Sequence, residues 1–91
     1  MEATDIDRLL AELRAGRTLR VPFSTKLFPD TRPSENLLRL GSNGQFELTT
    51  TFAEFAPGHG WSCDQTEVES HTEESVRSTL RFYDAKQIEK V

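Results

Sequence analysis

Residues 37–52, LLRLGSNGQFELTTTF, place two apolar-rich runs on either side of Ser42, Asn43 and Gly44. Asn-Gly is favoured at the tip of a tight hairpin, where both residues are expected at positive φ. After the tip, Phe46, Leu48 and Phe52 fall on one side of an extended chain, and Glu47, Thr49 and Thr51 on the other. That period of two marks a strand buried on one face and wet on the other. Leu37 to Gly41 supplies the first arm, with one helical turn capped by Ser34 as the alternative reading. A hairpin here commits the chain to an antiparallel sheet.

Upstream, Ile6, Leu9, Leu10 and Leu13 recur at i, i+3, i+4 and i+7, while Asp5, Arg8, Glu12 and Arg14 take the other faces. The spacing predicts an amphipathic helix over residues 4–15. Thr4 is placed to cap it, Asp5 and Asp7 complement its positive end, and Gly16 suits the left-handed position beyond its last turn. Leu19, Val21 and Phe23 then alternate with Thr18 and Arg20, a half-buried strand. Pro22 lacks an amide hydrogen, so that strand belongs at a sheet edge or stops nearby. Residues 24–35, STKLFPDTRPSE, with two prolines and several turn formers, read as an ordered but irregular connection.

Downstream, residues 65–73 are polar, threonine-bearing and alternating, which suggests a solvated strand. Through a turn at Glu73 to Ser75 it would pair with a core strand over residues 75–83, in which Val76, Ser78, Leu80 and Phe82 share one face and Arg77, Thr79, Arg81 and Tyr83 the other. Asp84 and Gln87 have capping-box spacing and open a short terminal helix with Ile88 and Val91 on one side. The expected fold is α+β: an antiparallel sheet of four to five strands, an N-terminal amphipathic helix packed on one face and a short C-terminal helix. Residues 1–91 form a single domain in this reading, a length that supports one core without a metal or disulfide.

The chain carries a net charge of −4, unevenly spread. Residues 1–39 hold seven Lys or Arg against six Asp or Glu, and residues 40–91 hold four against nine. Between Leu40 and Val76 there is no Lys or Arg, yet Glu47, Glu54, Asp64, Glu67, Glu69, Glu73 and Glu74 all fall there. Such a window repels phosphates and attracts basic surfaces. One cysteine cannot form an intramolecular disulfide, the first residues lack a basic start followed by an apolar run, and no apolar stretch approaches the ~20 residues that span a bilayer. The expectation is a cytoplasmic protein with no membrane contact.

The segment APGHGWSCDQTEVESHTEES, residues 56–75, holds both histidines and the single cysteine and tryptophan. His59, Cys63 and His71 are acceptable zinc donors, but one H-x3-C pair and a distant histidine are not the two close pairs of a structural site. GWSCD fails as a nucleophile elbow because Asp64 stands where the second glycine is needed. An aspartate beside Cys63 also disfavours the thiolate. Phosphate loops, H-E-x-x-H and C-x-x-C are absent from the sequence. No cofactor is expected.

If residues 66–74 are extended, Glu67, Glu69, His71 and Glu73 line one side at ~6.7 Å intervals. The ladder reads either as a charged edge that resists aggregation or as a docking surface with Trp61 as aromatic anchor. The expected function is that of a small, acidic, non-catalytic protein that binds and inhibits or masks a basic partner protein. Immunity proteins, antitoxins and phage-encoded inhibitors are functional classes of this size and charge, their partners being a toxin, nuclease or host-defence complex. Candidate partner-binding residues are Glu47, Glu54, Trp61, Asp64, Glu67, Glu69, His71 and Glu73. A homodimer is compatible with this reading, and direct nucleic-acid binding is not expected. The alternatives are a small enzyme or ligand-binding or metal-binding domain using His59, Cys63 and His71, and a mimic of nucleic-acid phosphates.

Overall fold

The computed structural model describes residues 1–24, 31–61 and 65–91, with Thr31 and Arg32 described by backbone alone. The elements are α1 (Ala3–Arg14), β1 (Leu19–Arg20), β2 (Thr31–Leu40), β3 (Phe46–Ala56), β4 (Gly60–Trp61), β5 (Gln65–His71), α2 (Glu73–Leu80), a 3-10 turn (Ala85–Gln87) and β6 (Glu89–Lys90). The class is α+β, and the strands pair antiparallel throughout. β6, β1, β2 and β3 lie side by side in that order. The far edge of β3 is shared end to end: β5 pairs with Phe46–Phe52, and β4 with Phe55 and Ala56.

The hairpin closes differently from the expected tip. Gly44 donates its amide to the Gly41 carbonyl at 3.2 Å, and Gly41 donates to the Gln45 carbonyl at 2.7 Å. Only Gly44 has positive φ (83°), while Asn43 instead accepts the Gln45 amide on its side-chain oxygen at 3.1 Å. Three loop residues make a type I turn followed by a left-handed glycine, so only one position needs positive φ. The resulting register sets Leu40 opposite Phe46 and Leu38 opposite Leu48. β2 also reaches back to Thr31, well into the stretch expected to be irregular. Pro33 is accommodated because the register shifts between Pro33 and Glu35, a bulge where a missing amide costs no ladder bond.

One side of this sheet carries the core. Ile6, Leu9, Leu10 and Leu13 of α1 pack with Leu19, Val21, Leu38, Phe46 and Leu48 and with Val76 and Leu80 of α2 in a single buried cluster. α1 begins a residue early, after Glu2 and without a side-chain cap, so Thr4 lies inside the helix. Gly16 takes its expected left-handed conformation at φ 91°. β1 sits between β2 and β6, so Pro22 marks its end and not a sheet edge.

The core strand expected over residues 75–83 is a helix, α2. Val76 and Leu80 are four apart, a spacing that satisfies both periods, and the cap decides between them. The Thr72 hydroxyl accepts the Ser75 amide at 3.1 Å, Glu73 and Glu74 occupy the positive first turn, and Arg77 bonds back to Glu73 at 3.3 Å. Phe82, which a strand would have buried, is 87% exposed. The Asp84–Gln87 capping box forms as expected but heads only the three-residue 3-10 turn. The chain then returns as β6 beside β1 instead of continuing as a helix with Ile88 and Val91 on one side.

Because the Thr72 cap is what starts α2, Thr72→Ala is expected to destabilise the fold by about 1 kcal/mol. Urea unfolding followed by circular dichroism measures it, and an unchanged midpoint would mean the cap does not hold the helix.

Candidate partner-binding surface

Buried and exposed residues alternate along β3 until the alternation fails. Phe46, Leu48, Thr50 and Phe52 are buried, whereas Glu54, next on the same side, is exposed. The molecule measures 49 × 27 × 21 Å, its long dimension in keeping with an eleven-residue strand of about 36 Å at ~3.3 Å per residue. At the far end the chain turns through Pro57–His59, returning Gly60 opposite Ala56 and Trp61 opposite Phe55. Gly58 at φ 85° permits that turn.

α1 and α2 both pack on the side of Leu38 and Leu48. The reverse side of the sheet carries no helix among the described residues. Across it, register brings Val68, Thr49, Leu37 and Arg20 into one row, and Thr66, Thr51 and Glu35 into the next. Its charges are matched locally: Arg39 with Glu47 at 3.3 Å, and Arg20 with Glu89 at 3.0 Å and Glu35 at 3.8 Å. At its far end Phe55 and Trp61 meet with ring centroids 5.4 Å apart and planes at 57°. They remain 42% and 45% exposed, and Val68 is 57% exposed.

The residues singled out in the sequence divide between two sides. Glu47 lies on the reverse side, held by Arg39, and Trp61 shares that side at the far end. Glu67, Glu69 and His71 stand opposite Thr50, Leu48 and Phe46, hence on the helix side, at the rim formed by β5. Glu54 is exposed farther along the same side. Glu73 leaves the ladder: it opens α2, where it pairs with Arg77 and Arg14. The helix rotates the chain after Thr72, so the period of two ends at His71. Asp64 and Cys63 lie outside the described residues.

His71 is enclosed more than the ladder suggested. Its Nδ1 lies 3.0 Å from the Ser75 hydroxyl, and its Nε2 lies 3.0 Å from a Glu69 carboxylate oxygen without a well-directed hydrogen bond. His59 sits in the turn between Ala56 and Gly60. Since Gly60 pairs with Ala56 and His71 with Phe46, the two histidines are separated by about 33 Å of strand at ~3.3 Å per residue. They cannot share one ion. A concavity of about 510 Å³ lies elsewhere, lined by Met1, Glu2, Asp5 and Arg81–Ala85, and includes none of the expected site residues.

Phe55 escaped the sequence reading. Its signal was the APGHG turn, which sets residues 55 and 61 symmetrically about Gly58 and so face to face. No family model matches the chain, and comparisons with curated proteins and with solved structures find no match. Among the described residues no helix is long and apolar enough to cross a membrane.

Trp61 is the single tryptophan, so its fluorescence reports this end alone. Phe55→Ala is expected to raise its acrylamide quenching, and a double-mutant cycle with Trp61→Ala to give a coupling of roughly 0.5–1.5 kcal/mol. Unaltered quenching would mean the rings do not meet in solution.

Proposed function

We propose that this is a non-catalytic, acidic, cytoplasmic protein that binds a basic partner protein and inhibits or masks it, in the manner of immunity proteins, antitoxins and phage-encoded inhibitors. The observation that carries the reading is the exposed surface along β3 and β5: the Phe55–Trp61 pair at the far end on the reverse side, and on the helix side the carboxylates of Glu54, beyond Phe52, and of Glu67 and Glu69, opposite Thr50 and Leu48. The segment supplying all five residues has no Lys or Arg from Gly41 to Ser75. Aromatic anchors contribute affinity through burial, and carboxylates steer encounter with a cationic surface. The separation of His59 from His71 favours this reading over a shared catalytic or metal centre.

The test begins with capture of the partner from source-cell lysate on the immobilised chain, followed by association kinetics with the purified partner. The partner is expected to be basic, and its association to slow several-fold as salt rises from low to near-physiological, where the screening length shortens to about 8 Å. Glu67→Lys with Glu69→Lys is expected to slow association by roughly 10-fold and flatten the salt dependence. Trp61→Ala should instead accelerate dissociation. Association indifferent to salt and to charge reversal, with dissociation indifferent to Trp61, would contradict the proposal.

A further inference from the structure

We infer that β5 is a docking edge that takes an extended segment of the partner as an added strand, one bearing cationic and apolar residues in alternation. This deepens the function proposed above and rests on its basic partner. β5 pairs with β3 along one edge, and among the described residues no strand pairs with the other. Gln65 through Ser70 are all exposed, and no described strand pairs with that row of backbone groups. Proteins protect such an edge with charged side chains, proline, a bulge or a covering element, and of these β5 has, among the described residues, only the charges of Glu67 and Glu69, which bar a like-charged strand and leave a cationic one admissible. β5 contains no proline or lysine, and its register with β3 is unbroken from Phe46–His71 to Phe52–Gln65. The opposite edge of the sheet is different: β6 has two residues, and its Lys90 reaches Glu12 at 3.2 Å.

The side chains of β5 specify the occupant. Glu67 and Glu69 stand on the helix side two residues apart, about 6.7 Å, which matches the repeat of one face of a neighbouring strand. Among the described residues Glu67 has no ion-pair partner, and Glu69 has only His71. Lysine or arginine at every second position of an added strand would sit beside both carboxylates, an arrangement that stabilises cross-strand pairs. Val68, 57% exposed on the reverse side, would be covered by the apolar residues between them. A second copy of this chain fits poorly. Two β5 strands paired about a two-fold axis at Val68 would set Glu67 against Glu69 of the copy, and like charges directly opposite destabilise a ladder. In that register the carboxylates oppose self-pairing, and they favour a cationic strand.

The test titrates the 15N-labelled chain with three capped heptapeptides: TKVKVKT, a twin of the same sequence N-methylated at every interior amide, and TEVEVET. The first is expected to slow hydrogen exchange at alternate amides of residues 65–70 and to bind at least 10-fold tighter than the other two. Glu67→Lys with Glu69→Lys, its fold verified by circular dichroism, should abolish that preference. Equal binding by the N-methylated twin overturns strand addition but leaves attraction to a basic partner standing. Absence of protection on β5 from TKVKVKT overturns it as well. Binding of TEVEVET as tight as TKVKVKT overturns the cationic occupant and the basic-partner reading together.

Discussion

The register of the β2–β3 hairpin is the constraint on which the rest of this molecule depends. β3 is bonded along both edges, to β2 on one side and to β5 and β4 on the other. The Gly41–Gln45 closure places Leu38 beside Leu48 and Leu40 beside Phe46, with Leu38 and Leu48 on the face that α1 and α2 bury. A slip of one residue would turn the apolar set of a strand toward water and its Thr and Glu set toward the helices. Gly44 secures the closure, since its left-handed conformation has no side chain to oppose it. Thr50, fully buried between Leu48 and Phe52, shows how strictly the inward positions are held even where the residue is polar.

Where one period dominated, the fold was legible from sequence. The four α1 positions at i, i+3, i+4 and i+7 and the alternation from Phe46 to Phe52 both predicted their elements because no other period fits them. Residues 75–83 fit two periods, and the discriminating feature was chemical: Thr72 followed by Glu73, Glu74 and Ser75 is a helix start. At residues 31–35 Pro33, with Pro29 just before it in the sequence, outweighed the strand signal, although a bulge allows a strand to carry Pro33. The short segments beside β1 have too few residues to carry a pattern at all. Of the candidate surface, Glu67, Glu69 and His71 share one side as the alternation indicated, and Glu73 was lost with the missed helix. The Phe55–Trp61 pair depended on a three-residue turn whose symmetry only the register reveals.

The charges follow the same division. Close to the helices and on the reverse face they are matched: Arg77 with Asp7 and Glu73, Arg39 with Glu47, and Arg20 with Glu35 and Glu89. Exposed pairs of this kind contribute little individually, but they neutralise the surface on which they lie. On β5, by contrast, Glu67 has no such partner among the described residues and Glu69 has only His71, and the strand contains no Lys or Arg. The stretch of β3 from Phe46 to Phe52 holds the core, with Glu67 and Glu69 exposed on β5 along its edge, and beyond it the sheet presents Glu54, Phe55 and Trp61.

That division is tested most directly by native-state hydrogen exchange along β3. Its amides from Phe46 to Phe52 lie within the buried stretch and are expected to exchange only through global unfolding, with a single free energy and a denaturant dependence equal to that of the whole molecule. Those from Ala53 to Ala56 are expected to exchange through smaller, denaturant-insensitive openings that leave the core intact. A uniform exchange free energy from Phe46 to Ala56 would contradict the account, because the far end of β3 would then belong to the cooperative core.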